Sequence, residues 1–130
     1  MRKFSIHLSK YVTIDTKIPV YDLYVNDKCM FDKFYQEIQK TGNLRGELAG
    51  AINNLISSAN LMRLPITKIN TLKHKNLPCK LYEAKKNNIR IYFFHEEKTG
   101  RIIITGGLKN SQKADIKKIV NILKDYYDEK

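Results

Sequence analysis

The chain has 130 residues, and 24 Lys and Arg against 13 Asp and Glu give it a formal charge of +11. That length supports one domain burying roughly two-thirds of its unfolded surface, and 42% hydrophobic with 10% aromatic residues excludes a disordered polyelectrolyte. No apolar run approaches the ~20 residues of a membrane helix. The start, Met1-Arg2-Lys3-Phe4-Ser5-Ile6-His7, lacks an apolar signal-peptide core, and Cys29 and Cys79 have neither disulfide-framework nor metal-ligand spacing. The expectation is a single cytoplasmic domain, 1–130, with no metal, no cofactor and no membrane partner.

In chain order, Phe4-Ser5-Ile6-His7-Leu8 alternates apolar and polar as a half-buried strand does. After a turn near 15–19, Tyr21, Leu23 and Val25 alternate again. Asn26 or Asp27 then suits the cap of a helix carrying Phe31, Phe34, Tyr35 and Ile38, which Thr41-Gly42-Asn43 ends. A second helix places Leu44, Leu48, Ala51, Ile52, Leu55, Ile56, Ala59 and Met62 at helical spacing and is closed by Pro65. Residues 66–78 read as a basic loop with Lys68, Lys73, His74 and Lys75.

Three antiparallel strands follow, over 79–86, 88–96 and 101–107. Asn87-Asn88 suits the first tight turn and Lys98-Thr99-Gly100 the second. A last helix starts near Asn110 or Ser111 and carries Ile116, Ile119, Val120, Leu123, Tyr126 and Tyr127. The fold class is therefore α+β: N-terminal strands, an αα-hairpin, a three-stranded antiparallel sheet and a C-terminal helix.

Charge is uneven along this order. Residues 67–118 hold thirteen basic and four acidic side chains, a net of +9. Such concentration favours a polyanion by attraction and counterion release, against the alternative of a solvated lysine-rich surface. With Asn87-Asn88 as the turn, Lys86 pairs with Ile89, Lys85 with Arg90 and Glu83 with Tyr92. Tyr82, Ala84, Ile89, Ile91 and Phe93 then share one face, a floor for the helical hairpin. Glu83, Lys85, Arg90 and Tyr92 share the other. Directly opposed cations repel, so the Lys85/Arg90 pair asks for an anion, from a ligand or from the diagonal Glu83. Lys109 and Lys113 bracket the start of the last helix, where free N–H groups and the positive dipole end attract phosphate.

The run Leu77-Pro78-Cys79-Lys80-Leu81-Tyr82-Glu83-Ala84-Lys85, then Ile89-Arg90-Ile91-Tyr92-Phe93-Phe94, then 106–113 resembles the RelE/ParE toxin superfamily, nearest its phage-derived HigB-like branch. The likeness spans about 20–127, leaving 1–18 as an N-terminal extension strand or hairpin. It implies a RelE-like fold and the toxin of a type II toxin–antitoxin system: an mRNA interferase, a metal-independent endoribonuclease hydrolase acting on ribosome-bound mRNA. A ribose 2′-OH would attack the adjacent phosphorus. By the same likeness Arg90 stabilises the transition-state charge, Lys85 and Lys109 position phosphates, and Lys85 or Glu83 carries the proton. Lys68, Lys73, His74, Lys75, Tyr92 and Lys113 would bind RNA, while His95, at a strand end on the opposite face, reads as structural. Three positions depart from the family pattern: Lys85 replaces an arginine, Gly107 a phenylalanine and Asn110 a lysine. Lys85 in place of Arg loses bidentate phosphate geometry. The implied partners are mRNA, the ribosome and a small helical or helix-turn-helix antitoxin. A ParE-like gyrase inhibitor and a non-catalytic RNA- or ribosome-binding module are the alternatives on the same fold.

Overall fold

The computed structural model describes residues 3–74 and 77–129. Its strands are β1 (Phe4–Leu8), β2 (Val20–Val25), β3 (Lys28–Cys29), β4 (Ile69–Leu72), β5 (Lys80–Lys86), β6 (Ile89–Glu96) and β7 (Gly100–Leu108). The helices are α1 (Met30–Thr41), α2 (Arg45–Ala59) and α3 (Gln112–Glu129), the last preceded by a 3-10 turn, Lys109–Ser111. The fold is α+β with an open mixed sheet in the order β1-β2-β7-β6-β5-β4, and β3 adds to β2. β2 runs parallel to β7; the other pairs are antiparallel. No helix among the described residues is long and apolar enough to cross a membrane.

Each face of the sheet has its own core, because the chain carries two sets of amphipathic helices. α1 and α2 cover the face bearing Ala84, Ile89, Ile91, Phe93 and Ile103, with Phe31, Ile38, Leu48 and Leu55 packed down on it. The floor expected from the sequence is the observed one. α3 covers the other face, setting Ile119, Leu123 and Tyr126 against Leu81, Tyr92, Phe94, Ile102 and Ile104. Burying these side chains drives both layers together at ~25 cal/mol per Å² of apolar area.

Local chemistry sets the element ends. Gly42 takes a left-handed conformation (φ 75°) and its N–H returns to Ile38 O, ending α1 where expected. α2 stops at Ala59, well before Pro65. Leu61 adopts φ 64°, its N–H reaches Ser58 O at 3.0 Å, and Met62 N–H reaches Ser57 O at 3.1 Å. This is a Schellman closure with leucine in the place glycine usually fills, and it leaves Met62 exposed outside the helix.

Asn26 and Asp27 do not cap α1. Both have positive φ (51° and 67°) and form the two-residue turn between β2 and β3, so Cys29 precedes the helix. Within the stretch expected to be loop, β4 pairs with β5 from Ile69↔Ala84 to Leu72↔Leu81 and forms the sheet edge. The sheet is therefore larger than the three strands expected.

Residues 3–18 are built into the molecule. β1 pairs with β2 along its whole length. The segment after it crosses the start of α1: Lys10 Nζ lies 2.8 Å from Asp32 Oδ2, the Tyr11 hydroxyl donates to Asp32, and the Tyr11 ring meets Phe31 edge-on at 5.0 Å. Ile18 N–H then donates to Ala59 O at 2.8 Å, tying the segment to the end of α2.

Candidate nucleic-acid interface

The β5–β6 register is the one the turn chemistry implies: Glu83↔Tyr92, Lys85↔Arg90 and Lys86↔Ile89 around Asn87, whose φ is 51°. Side chains at Glu83, Lys85, Arg90 and Tyr92 therefore point to one face, and α3 lies over it. Glu83 and Arg90 form a buried ion pair, with Arg90 Nε 3.3 Å from Glu83 Oε1 and side-chain exposures of 9% and 3%. Arg90 Nη1 also donates to Asn87 O at 2.7 Å and Ile89 O at 3.0 Å, curling back onto its own turn. Gln112, at the first position of α3, donates to Glu83 Oε2 at 2.8 Å.

The anion demanded by the opposed Lys85 and Arg90 is thus supplied internally by Glu83. Both Glu83 oxygens are engaged, and Arg90 leaves only 9% of its side chain exposed to a ligand. A charge this desolvated acts more strongly on any phosphate brought against it than a surface lysine does. Breaking the pair would leave an uncompensated buried charge.

Beside the ion pair, Tyr92 is fully buried, and its hydroxyl has no hydrogen-bond partner among the described residues. Burial raises its pKa, and the nearby Asp115 carboxylate adds to the effect. Ser111 Oγ shares its one proton between Asp115 Oδ2 at 2.8 Å and Leu108 O at 3.1 Å, fastening the start of α3 to the end of β7. A Cβ at Gly107 would overlap the Asp115 carboxylate and force that side chain to shift. A Cβ at Gly106 would overlap the Phe34 ring.

The expected cationic residues divide between two ends of the sheet. Lys109 and Lys113 are exposed at the start of α3, and Lys109 N–H donates to Asn88 O at 2.8 Å, holding that start against the β5–β6 turn. Lys68 joins this end, since its carbonyl accepts from Lys85 N–H at 2.7 Å. The structure thus brings Glu83, Lys85, Arg90, Tyr92, Lys109, Lys113 and Lys68 to one neighbourhood. Lys73 and His74, both exposed, follow β4 at the opposite end, beside Lys80 and Tyr82. Lys75 lies outside the described residues.

Sequence reasoning missed Gln112, Ser111 and Asp115. The Ser111/Asp115 spacing of four was a readable signal, whereas Gln112 needed the tertiary fold. His95 stands on the hairpin face, away from Arg90, where Arg101 Nη1 approaches its Nδ1 at 3.3 Å. Desolvation lowers its pKa, with the Arg101 charge adding to the effect. Among the described residues no three His, Cys, Asp or Glu side chains cluster as metal ligands do. Compared with known proteins, the chain matches no family model, no curated protein and no solved structure.

Proposed function

We propose that the chain binds RNA through the Arg90 end of its sheet and is the mRNA-cleaving toxin of a RelE/HigB-like toxin–antitoxin pair. The observation that carries this reading is convergence. The three sequence segments that resemble the toxin motifs, around Glu83–Lys85, Arg90 and Lys109–Lys113, meet at one corner of the molecule. Three exposed or half-exposed lysines, Lys85, Lys109 and Lys113, ring the buried Arg90 there.

In this reading the lysines hold phosphates flanking the scissile one, and counterion release supplies most of the affinity. Arg90 provides a preorganised positive charge in a low-dielectric pocket for the phosphorane-like state formed when the 2′-OH attacks. Glu83 holds the guanidinium in place and, with both oxygens occupied, acts as a positioning residue. Of Lys85 and Glu83 the proton carrier is then Lys85: as the P–O2′ bond forms and the P–O5′ bond breaks to leave a cyclic phosphate, its ammonium gives a proton to the departing 5′-oxygen and the amine takes up that of the 2′-OH. A small helical antitoxin with an acidic face would silence the protein by covering the same lysines.

One observation favours a second reading, the non-catalytic RNA- or ribosome-binding module. Arg90 is 91% covered at its side chain and already ion-paired, as a structural arginine would be. Inducing expression and mapping mRNA 5′ ends separates the two. New 5′ ends in the wild type that vanish in Arg90→Lys support the toxin, and salt-dependent binding with intact mRNA supports the module. A DNA-damage response with intact mRNA would point instead to a gyrase inhibitor.

A further inference from the structure

A second basic row crosses the sheet at the end opposite Arg90. Lys80 on β5 lies directly across from His95 on β6, and His95 directly across from Arg101 on β7. Residues so paired project to the same face, here the hairpin face. The outer two, two strand spacings apart, stand ~10 Å from each other. The fixed charges of the row are Lys80 and Arg101, with His95 between them.

Unlike Arg90, this row is paired with no buried carboxylate among the described residues, although Glu96 and Glu97 line a hollow with Lys80 and His95. Glu96 and Glu97 both act on His95 electrostatically, but Glu96 accepts from the Tyr126 hydroxyl at 2.9 Å and the Tyr127 hydroxyl at 3.4 Å, both on α3 across the sheet. Arg101 is held rigidly. Its Nη2 donates to Ser58 O at 3.2 Å, its guanidinium lies 5.7 Å from the Tyr82 ring centre and 5.8 Å from that of Phe93, and its Nε is buried with no partner among the described residues. With Arg101 supplying the proton, His95 Nδ1 accepts, so the ring is neutral and carries its own proton on Nε2.

An aromatic shelf adjoins the row. Tyr82 stacks on Phe93 (5.2 Å between centres, 15° between planes) and remains partly exposed. A hollow of about 350 Å³ lies elsewhere, under Lys109, whereas the one here is larger, about 570 Å³. It is lined by Tyr82, Lys80, Thr71, Lys73 and His74 among others. Lys68 at one end of the edge strand β4 neighbours the Arg90 corner, and Lys73 and His74 at its other end neighbour this hollow.

We propose that Lys80, His95 and Arg101, with Tyr82 and the Lys73–His74 loop, form a second contact site for single-stranded RNA, joined to the Arg90 corner along the β4 edge. Lys73, Lys80 and Arg101 take backbone phosphate, and the Tyr82 shelf takes a base by stacking. This rests on the RNA reading above and extends it to the length and course of the bound strand.

The test is fluorescence-anisotropy binding of a 5′-labelled 12-nucleotide oligouridylate across a salt series. Wild type is compared with K73A/K80A, with K109A/K113A, and with K118A/K124A as a charge-matched control on an exposed part of α3. Loss of two single-strand phosphate contacts flattens log Kd against log salt by about 1.4, at ~0.7 per contact. K73A/K80A should show that change and bind about tenfold more weakly, while K118A/K124A stays near wild type. Tyr82→Leu, which keeps the packing on Phe93, should lose about fivefold with the slope unchanged. If K109A/K113A weakens binding and K73A/K80A does not, this site is refuted and the RNA reading stands. If wild type shows no salt-dependent binding, both fall together. If K118A/K124A falls as far as K73A/K80A, diffuse charge accounts for the effect and the site is refuted.

Discussion

Removing either partner of the Glu83–Arg90 pair should cost a large share of the stability of the fold. The side chains are 3% and 9% exposed, so truncating one leaves a desolvated charge facing the other's empty place. Such losses run about 3–5 kcal/mol, a large share of the 5–15 kcal/mol that holds a typical domain together. In a chain of this length that is a fall of about 10–20 °C in Tm. Glu83→Ala strands Arg90 beside its turn carbonyls, and Arg90→Ala strands Glu83 with Gln112 alone. The double variant Glu83→Leu/Arg90→Met replaces both charges with apolar volume. It forfeits only the hydrogen bonds to Asn87 O, Ile89 O and Gln112, so its cost should fall to about 1–3 kcal/mol. Urea denaturation of the four proteins gives the coupling energy by double-mutant cycle. Single variants within about 2 °C of wild type, or a double variant whose loss equals the sum of the singles, would refute the buried pair.

Gly107→Ala places a methyl group inside the Asp115 carboxylate and should cost about 1–3 kcal/mol by overpacking. Gly107→Ala/Asp115→Ala should recover most of that in the same urea titration. Asp22 is buried in β2, and desolvation raises its pKa despite hydrogen bonds from Ser9 and Lys10. The folded state therefore keeps its proton to higher pH than the unfolded chain. The resulting stability is full below the unfolded value near 3.8 and is lost as pH rises through the folded pKa. Asp22→Asn should accordingly gain stability relative to wild type at pH 7 and gain none at pH 3. His95, lowered by desolvation and by Arg101, should titrate below the ordinary 6.5 when its ring signals are followed by NMR. His95→Gln should lessen the loss of stability on acidification, because a histidine held neutral in the fold takes up its proton more readily once unfolded.

Much of this architecture is legible in the sequence because period and turn chemistry agree. Asn87-Asn88 sets the β5–β6 register, and that register sends Ala84, Ile91 and Phe93 to the hairpin face. Other features depend on contacts the sequence does not display. In Ile69-Asn70-Thr71-Leu72 the two apolar residues are three apart, so β4 lacks the alternation of a strand and forms because β5 offers it an edge. Asn26-Asp27 is chemically suited both to a helix cap and to a two-residue turn, and pairing of β3 with β2 decides for the turn. A hairpin loop of Lys98-Thr99-Gly100 would oppose Glu97 to Arg101. The observed loop is one residue earlier and opposes His95 to Arg101 instead. That single step conceals the second basic row from sequence reasoning. The Lys85/Arg90 opposition was legible, but its internal neutralisation depends on α3 closing over Glu83 with Gln112. An apolar stripe predicts burial of a helix without naming the face that receives it.

The central claim is that the Arg90 corner acts on RNA. Its most direct test is transcriptome-wide mapping of mRNA 5′ ends after brief induction of wild type and of Arg90→Lys, with circular dichroism confirming that both are folded. Arg90→Lys retains the positive charge and loses the planar fork. The account predicts new 5′ ends within coding regions for wild type and a drop of at least tenfold in their number for the variant. Unchanged mRNA ends on induction of the folded wild type, or equal cleavage by Arg90→Lys, would contradict it.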